Sequence, residues 1–147
     1  MAQVTVNAER TIDAPADKVS AALADYRGAR EKLLTDEFSN YRVIEGGEGA
    51  GTVVGWKLQA TKKRVRDCEF AVEQGANGAL VERDRNSSMV TTWTVKPAGD
   101  KSTVSVETVW NGAGGIGGFF EKTFAPLGMR KIYDAQLEKL ANVVTAA

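Results

Sequence analysis

The chain of 147 residues contains no histidine. Its absence removes Ser-His and Cys-His activation of a nucleophile and the usual histidine-bearing metal sets. No metal or cofactor is expected, and no catalytic residue is assigned. Cysteine is nearly absent too. The single Cys68 excludes an internal disulfide framework and fits a reducing compartment, so a cytoplasmic location is expected. There is no excess of either charge, with 19 basic and 19 acidic residues. No global field therefore draws the chain to nucleic acid or to an anionic membrane. The basic run Lys62-Lys63-Arg64, with Arg66, falls where a hairpin should turn and reads as a solvated turn. No apolar run approaches transmembrane length, and the opening MAQVTVNAER has no basic stretch followed by an apolar one. Neither secretion nor stable membrane insertion is expected.

What is present describes one ordinary folding unit, 1–147. The hydrophobic fraction is 43% and the charged fraction 26%, and a domain of this length buries roughly 70% of its unfolded surface. Val4, Val6, Ala8 and Ile12 alternate with Thr5, Asn7, Glu9 and Thr11, the period of a half-buried strand. Asp13-Ala14-Pro15-Ala16-Asp17 then opens a helix. Proline is tolerated in a first turn, and both aspartates suit the positive end of the helix dipole. Ala29 to Leu34 permits a second short helix.

Six strands are predicted next, at Phe38–Glu45, Thr52–Ala60, Lys63–Gln74, Ala79–Arg85, Met89–Lys96 and Ser102–Trp110. The separators are turn signals too short for crossover helices, so the pairing should be antiparallel. A long amphipathic helix follows, from about Ile116 to Val144. Its apolar stripe holds Phe120, Phe124, Leu127, Ile132, Tyr133, Leu137, Leu140 and Val144. Pro126 and Gly128 predict a kink or a break within it. The glycine cluster Gly112 to Gly118 precedes this helix and reads as a hinge, with the segment to Gly128 as a gate. It spells G-x-G-x-x-G at Gly112, Gly114 and Gly117. The dinucleotide reading fails because no parallel strand follows the helix.

Strand parity assigns faces. Val54, Trp56 and Leu58 fall on one side, as do Cys68, Phe70 and Val72; Met89, Thr91, Trp93 and Val95; and Val104, Val106, Thr108 and Trp110. These apolar faces should line a concave surface against the long helix. A buried tryptophan needs a partner for its indole N–H. Arg66 shares the inward parity of Phe70, and Glu82 and Asp84 share that of Leu80. An inward arginine must be paired, either with a ligand carboxylate or internally with Glu82, Asp84 or Glu107. Glu82 and Asp84 near a strand end read as a solvated rim more readily than as a catalytic pair.

The order strand, two short helices, six strands and long helix resembles the START-like (SRPBCC) superfamily with its helix-grip fold. The run Ile12-Asp13-Ala14-Pro15-Ala16-Asp17-Lys18-Val19 is similar to that family's strand-to-helix signature, as are Gly51-Thr52 opening a strand with Trp56 and the terminal helix. Where many members carry an aromatic after the helix valine, this chain has Ser20. The resemblance implies an α+β fold, a curved seven-stranded antiparallel sheet around the C-terminal helix. Resemblance to its polyketide cyclase/dehydrase and lipid-transport branch implies a hydrophobic cavity between the two.

The expected function is binding or transport of a small hydrophobic or amphipathic ligand: a lipid, fatty acid, sterol or polyketide. The expected ligand-binding residues are Tyr41, Trp56, Leu58, Arg66, Phe70, Thr91, Trp93, Val106, Thr108, Trp110, Phe120, Phe124 and Ile132. One alternative is a cyclase or aromatase using the same cavity, sensitive to Arg66, Glu107 or Asp84. Another is a protein-interaction module. A monomer or homodimer is expected.

Overall fold

In the computed structural model the described residues are 3–61, 64–111 and 115–145, with side chains at 60, 61, 64 and 115–127 outside the description. Strand β1 (Gln3–Ile12) leads through Ala14 and Pro15 into α1 (Ala16–Ala24) and a short 3-10 turn (Ala29–Leu33). Six strands follow: β2 (Phe38–Glu45), β3 (Val53–Thr61), β4 (Arg64–Gln74), β5 (Leu80–Asp84), β6 (Val90–Ala98) and β7 (Lys101–Asn111). Helix α2 (Gly115–Thr145) closes the chain. The strands form one antiparallel sheet in the order β1-β7-β6-β5-β4-β3-β2.

The fold follows the expectation from sequence, and each strand boundary agrees to within two residues. The second short helix is a 3-10 turn that ends where Leu34 turns extended (ψ 135°). Of the kink or break expected at Pro126 and Gly128, the break does not occur: α2 is continuous from Gly115 to Thr145. Proline removes one backbone hydrogen bond, and a helix held by packing further along carries on past it. The expected hinge glycines Gly112 to Gly114 lie outside the described residues, so the gate is untested at that point.

Alternation places the core. Along β7 the residues Ser102, Val104, Val106, Thr108 and Trp110 are buried while their neighbours are more exposed. Val4, Val6 and Ala8 of β1 bury on the same concave side, where α2 packs its Met129, Ile132, Leu137, Leu140 and Val144. Ser102 donates from Oγ to the Ala14 carbonyl at 2.6 Å, tying the start of β7 to the β1–α1 corner. Register shifts in β2 between Ser39 and Arg42 and between Val43 and Glu45, with Asn40 at φ 56°, mark bulges in this edge strand. Bulges raise twist locally and so help to curve the sheet.

Candidate functional site

The first turn after α1 carries a cation into the interior. Backbone bonds from Arg30 N to Asp25 O (2.9 Å) and from Ala29 N to Asp25 Oδ2 (3.1 Å) set the 3-10 turn. The Arg30 side chain is thereby directed under the sheet, where it is buried. Its Nη1 donates to the Leu23 carbonyl at 3.1 Å, and its Nη2 meets Glu82 Oε2 at 2.9 Å. The guanidinium carbon lies 4.7 Å from the Tyr26 ring centroid and 5.0 Å from that of Trp93. Planar, weakly hydrated guanidinium suits such a sandwich.

Glu82 is the hub of this cluster. Its carboxylate accepts from Tyr26 OH at 2.5 Å and from Trp93 Nε1 at 3.0 Å, as well as from Arg30. Only 2% of Glu82 is exposed; an unpaired carboxylate there would be costly, and three donors offset that cost. Burial by itself would lower the Arg30 pKa, but adjacent Glu82 more than compensates and holds the guanidinium charged. Burial and the neighbouring Glu82 charge push the Tyr26 phenol well above its ordinary range. Tyr41 donates to the Tyr26 carbonyl, and burial raises its phenol to about 12.

Above this polar base stands an aromatic wall. Trp56 stacks on Phe70 (centroids 4.9 Å apart) and on Tyr41 (6.2 Å), with Phe38 edge-on at 5.7 Å. Tyr133 of α2 meets Trp93 edge-on at 6.3 Å. Tyr133 also shares a hydrogen bond with Thr108, which is 2.7 Å from Thr91 in a buried hydroxyl chain. Burial lifts the Tyr133 phenol to about 12 although the hydroxyls of Thr108 and Thr91 pull the other way.

Together these groups line a crevice between sheet and helix, completed by Leu34, Leu58, Met89, Met129 and Gln136. Among the described residues, its inner space open to the centre of a water molecule is about 30 Å³. That inner space suits one or two waters.

Trp56, Leu58, Phe70, Thr91 and Trp93 line this crevice on the side that strand parity gives them, and Tyr41, named as an orienting polar group, lines it too. Thr108 lies one hydrogen bond behind Thr91, and Val106 and Trp110 belong to the apolar core. Ile132 borders a separate outer groove with Thr35, Asp36 and Lys139. Arg66 is half-buried on β4 opposite Leu58 and does not line the crevice. The side chains of Phe120 and Phe124 lie outside the described residues.

Three groups differ from the reading of the sequence. The buried cation at the crevice is Arg30, and it is Arg30 that pairs with Glu82. Glu82 and Asp84 are buried, not a solvated rim, because each accepts from three donors. Asp84 accepts from Glu69 N (3.0 Å), Asn86 N (3.1 Å) and Ser87 Oγ (2.6 Å), which makes it a turn residue apart from the crevice. Trp93 has the indole partner expected of it, whereas the buried N–H groups of Trp56 and Trp110 find none among the described residues.

Arg30, Tyr26, Tyr133 and Gln136 were not singled out as site residues from sequence. Inward parity of Glu82 signals that some buried cation must exist, yet nothing local in Ala29–Leu33 points to Arg30.

Among the described residues, no helix is long and apolar enough to cross a membrane, and no cluster of three or more potential metal ligands occurs. The family model for polyketide cyclase / dehydrase and lipid transport matches residues 3–145. The solution structure of the KanY protein is 52% identical, with a TM-score of 0.88 over 98% of this chain and 99% of that one. The crystal structure of TTHA0849 from Thermus thermophilus is 22% identical, with a TM-score of 0.81 over 97% of each chain. The Zhui aromatase/cyclase from Streptomyces sp. R1128 is 15% identical, with a TM-score of 0.79 over 97% of this chain and 94% of that one. No curated protein matches.

Proposed function

The chain belongs to the polyketide cyclase / dehydrase and lipid transport family, with its START-like helix-grip fold, and we propose that it binds a small hydrophobic or amphipathic molecule in the crevice between the sheet and α2. The observation that carries this reading is an aromatic wall set over a charge-neutral polar base. Trp56, Phe70, Tyr41 and Phe38 offer flat apolar surface, while the Arg30–Glu82 pair lies at the same crevice. Sites for small molecules are mostly apolar with a few placed polar groups that fix orientation. Burial of the guest would supply roughly 25 cal/mol per Å² of apolar surface.

Arg30 takes the orienting role first considered for Arg66. Two of its five N–H donors serve Leu23 and Glu82, so others remain for a ligand oxygen. Phe120 and Phe124 stay part of the proposed wall on the strength of the helix stripe alone. Carriage is favoured over catalysis because Glu82 is held as a carboxylate by three donors, Tyr26, Arg30 and Trp93.

Native mass spectrometry tests the reading on protein purified from cells, together with titration against fatty acids, sterols and aromatic polyketides. Trp56 and Trp93 provide the fluorescence signal. The expected result is a co-purified small molecule, or saturable one-to-one quenching by at least one class. Bare polypeptide with no quenching across the panel would overturn it.

A further inference from the structure

A second groove runs between α2 and the loop that follows the 3-10 turn. Asp36 and Glu37 form its loop wall, and Lys131 and Lys139 stand on the α2 wall. Ile132 and Ala135, which fall between the two lysines in sequence, line it as well. Among the described residues, its space open to the centre of a water molecule is about 230 Å³. One water needs only about 15 Å³ of such space, so a small solute fits.

The two walls carry opposite charge and do not close on each other. Lys131, Lys139 and Asp36 are exposed, and none of them forms an ion pair among the described residues. The Glu37 carboxylate accepts from the Thr35 hydroxyl, which leaves most of its lone pairs open. Positions 131, 135 and 139 recur every four residues and share one face of α2. The two lysines are thereby about 12 Å apart along the helix axis. Small Ala135 leaves the middle of that row low, beside the buried, apolar Ile132.

We propose that this groove is a second binding site, for a short linear zwitterion. Its ammonium end lies against Asp36 and Glu37, its carboxylate end against Lys131 and Lys139, and its apolar chain over Ile132 and Ala135. A simple cation gains at the loop wall and is repelled by the lysines, and a simple anion meets the reverse. A molecule with both charges gains at both walls. The inference is independent of the crevice reading, since the groove and the crevice share no lining residue.

The test is a titration with three probes of one chain length, 6-aminohexanoate, hexylammonium and hexanoate, followed by amide shifts in ¹H–¹⁵N NMR spectra. The zwitterion is expected to give saturable shifts centred on Asp36, Glu37, Lys131, Ala135 and Lys139. It should bind about two- to fivefold more tightly than either singly charged probe, the worth of one exposed ion contact. Lys131→Gln with Lys139→Gln should bring 6-aminohexanoate down to the hexylammonium level, and Asp36→Asn with Glu37→Gln should bring it down to the hexanoate level. Raising the salt to about 1 M should erase the advantage. Hexanoate or hexylammonium binding as tightly as the zwitterion overturns the two-walled site. Shifts confined to Trp56, Trp93 and their neighbours overturn it too, because they place the probe in the crevice. Absence of any saturable shift overturns the groove site and leaves the crevice reading standing. The wild-type order of affinities decides the matter even where a variant does not fold.

Discussion

Glu82 shows what parity can and cannot deliver for a single side chain. Alternation along β5 puts it inward, as observed, and its burial follows from that alone. Its partners Tyr26 and Arg30 come from the turn after α1, far upstream, and no local pattern ties them to it. The energetics of the pair are asymmetric. Arg30→Met leaves a buried carboxylate uncompensated and should cost about 3–5 kcal/mol in urea unfolding. Arg30→Met combined with Glu82→Leu should recover a good part of that loss, although Tyr26 and Trp93 then lose an acceptor. A double variant as unstable as the sum of the two singles would refute the coupling.

Buried protons give a second expectation at this scale. A thiol and a phenol of ordinary pKa 9.0 and 10.0 are raised by burial to about 12 at Cys68 and Tyr133. The native state holds these protons more tightly than the unfolded chain does. Their contribution to stability is therefore complete below about pH 9 and is lost as pH rises toward 12. Melting temperatures should fall from about pH 9 upward, and a flat profile to about pH 11 would contradict the burial of these groups.

Elements were the most legible scale. Period-two alternation is plainest in β1 and β7, where one face meets the core and the other meets water. The loop between β2 and β3 shows how an element positions the site. Tyr26 N donates to Gly47 O at 3.0 Å and Gly49 N to Ala24 O at 2.9 Å, so this loop clamps the end of α1 that carries Tyr26. Gly47 sits at φ +142°, and a Cβ there would meet Arg27 Nε at 2.3 Å. Gly47→Ala should cost about 1–3 kcal/mol and loosen ligand binding, because the clamp sits beside the crevice base. A melting temperature matching wild type would count against it. On α2, Leu140 is fully buried in the core, and Leu140→Ala should cost about 2–5 kcal/mol. Urea midpoints would read this directly, with a loss under about 1 kcal/mol contradicting the packing. Helix α2 runs unbroken through Pro126, since one missing backbone hydrogen bond opposes a helix without having to end it.

For the whole molecule, a guest that binds only the folded state stabilises it by mass action. At a free concentration of about 100 times Kd, the ligand should add about 2.7 kcal/mol to unfolding. A thermal shift that grows with ligand concentration would report it, and no shift under saturation by fluorescence would mean that the guest binds elsewhere. The sequence by itself determined the α+β class, the antiparallel strands and the inward faces that carry Trp56, Phe70 and Trp93, because those depend on periodicity along one strand or helix. Tertiary structure alone decided that Arg30 meets Glu82, and that Tyr26, Tyr133 and Gln136 line the crevice. Those outcomes depend on which distant segments the curved sheet brings together, and the pairing of side chains across space leaves no periodic trace along the chain.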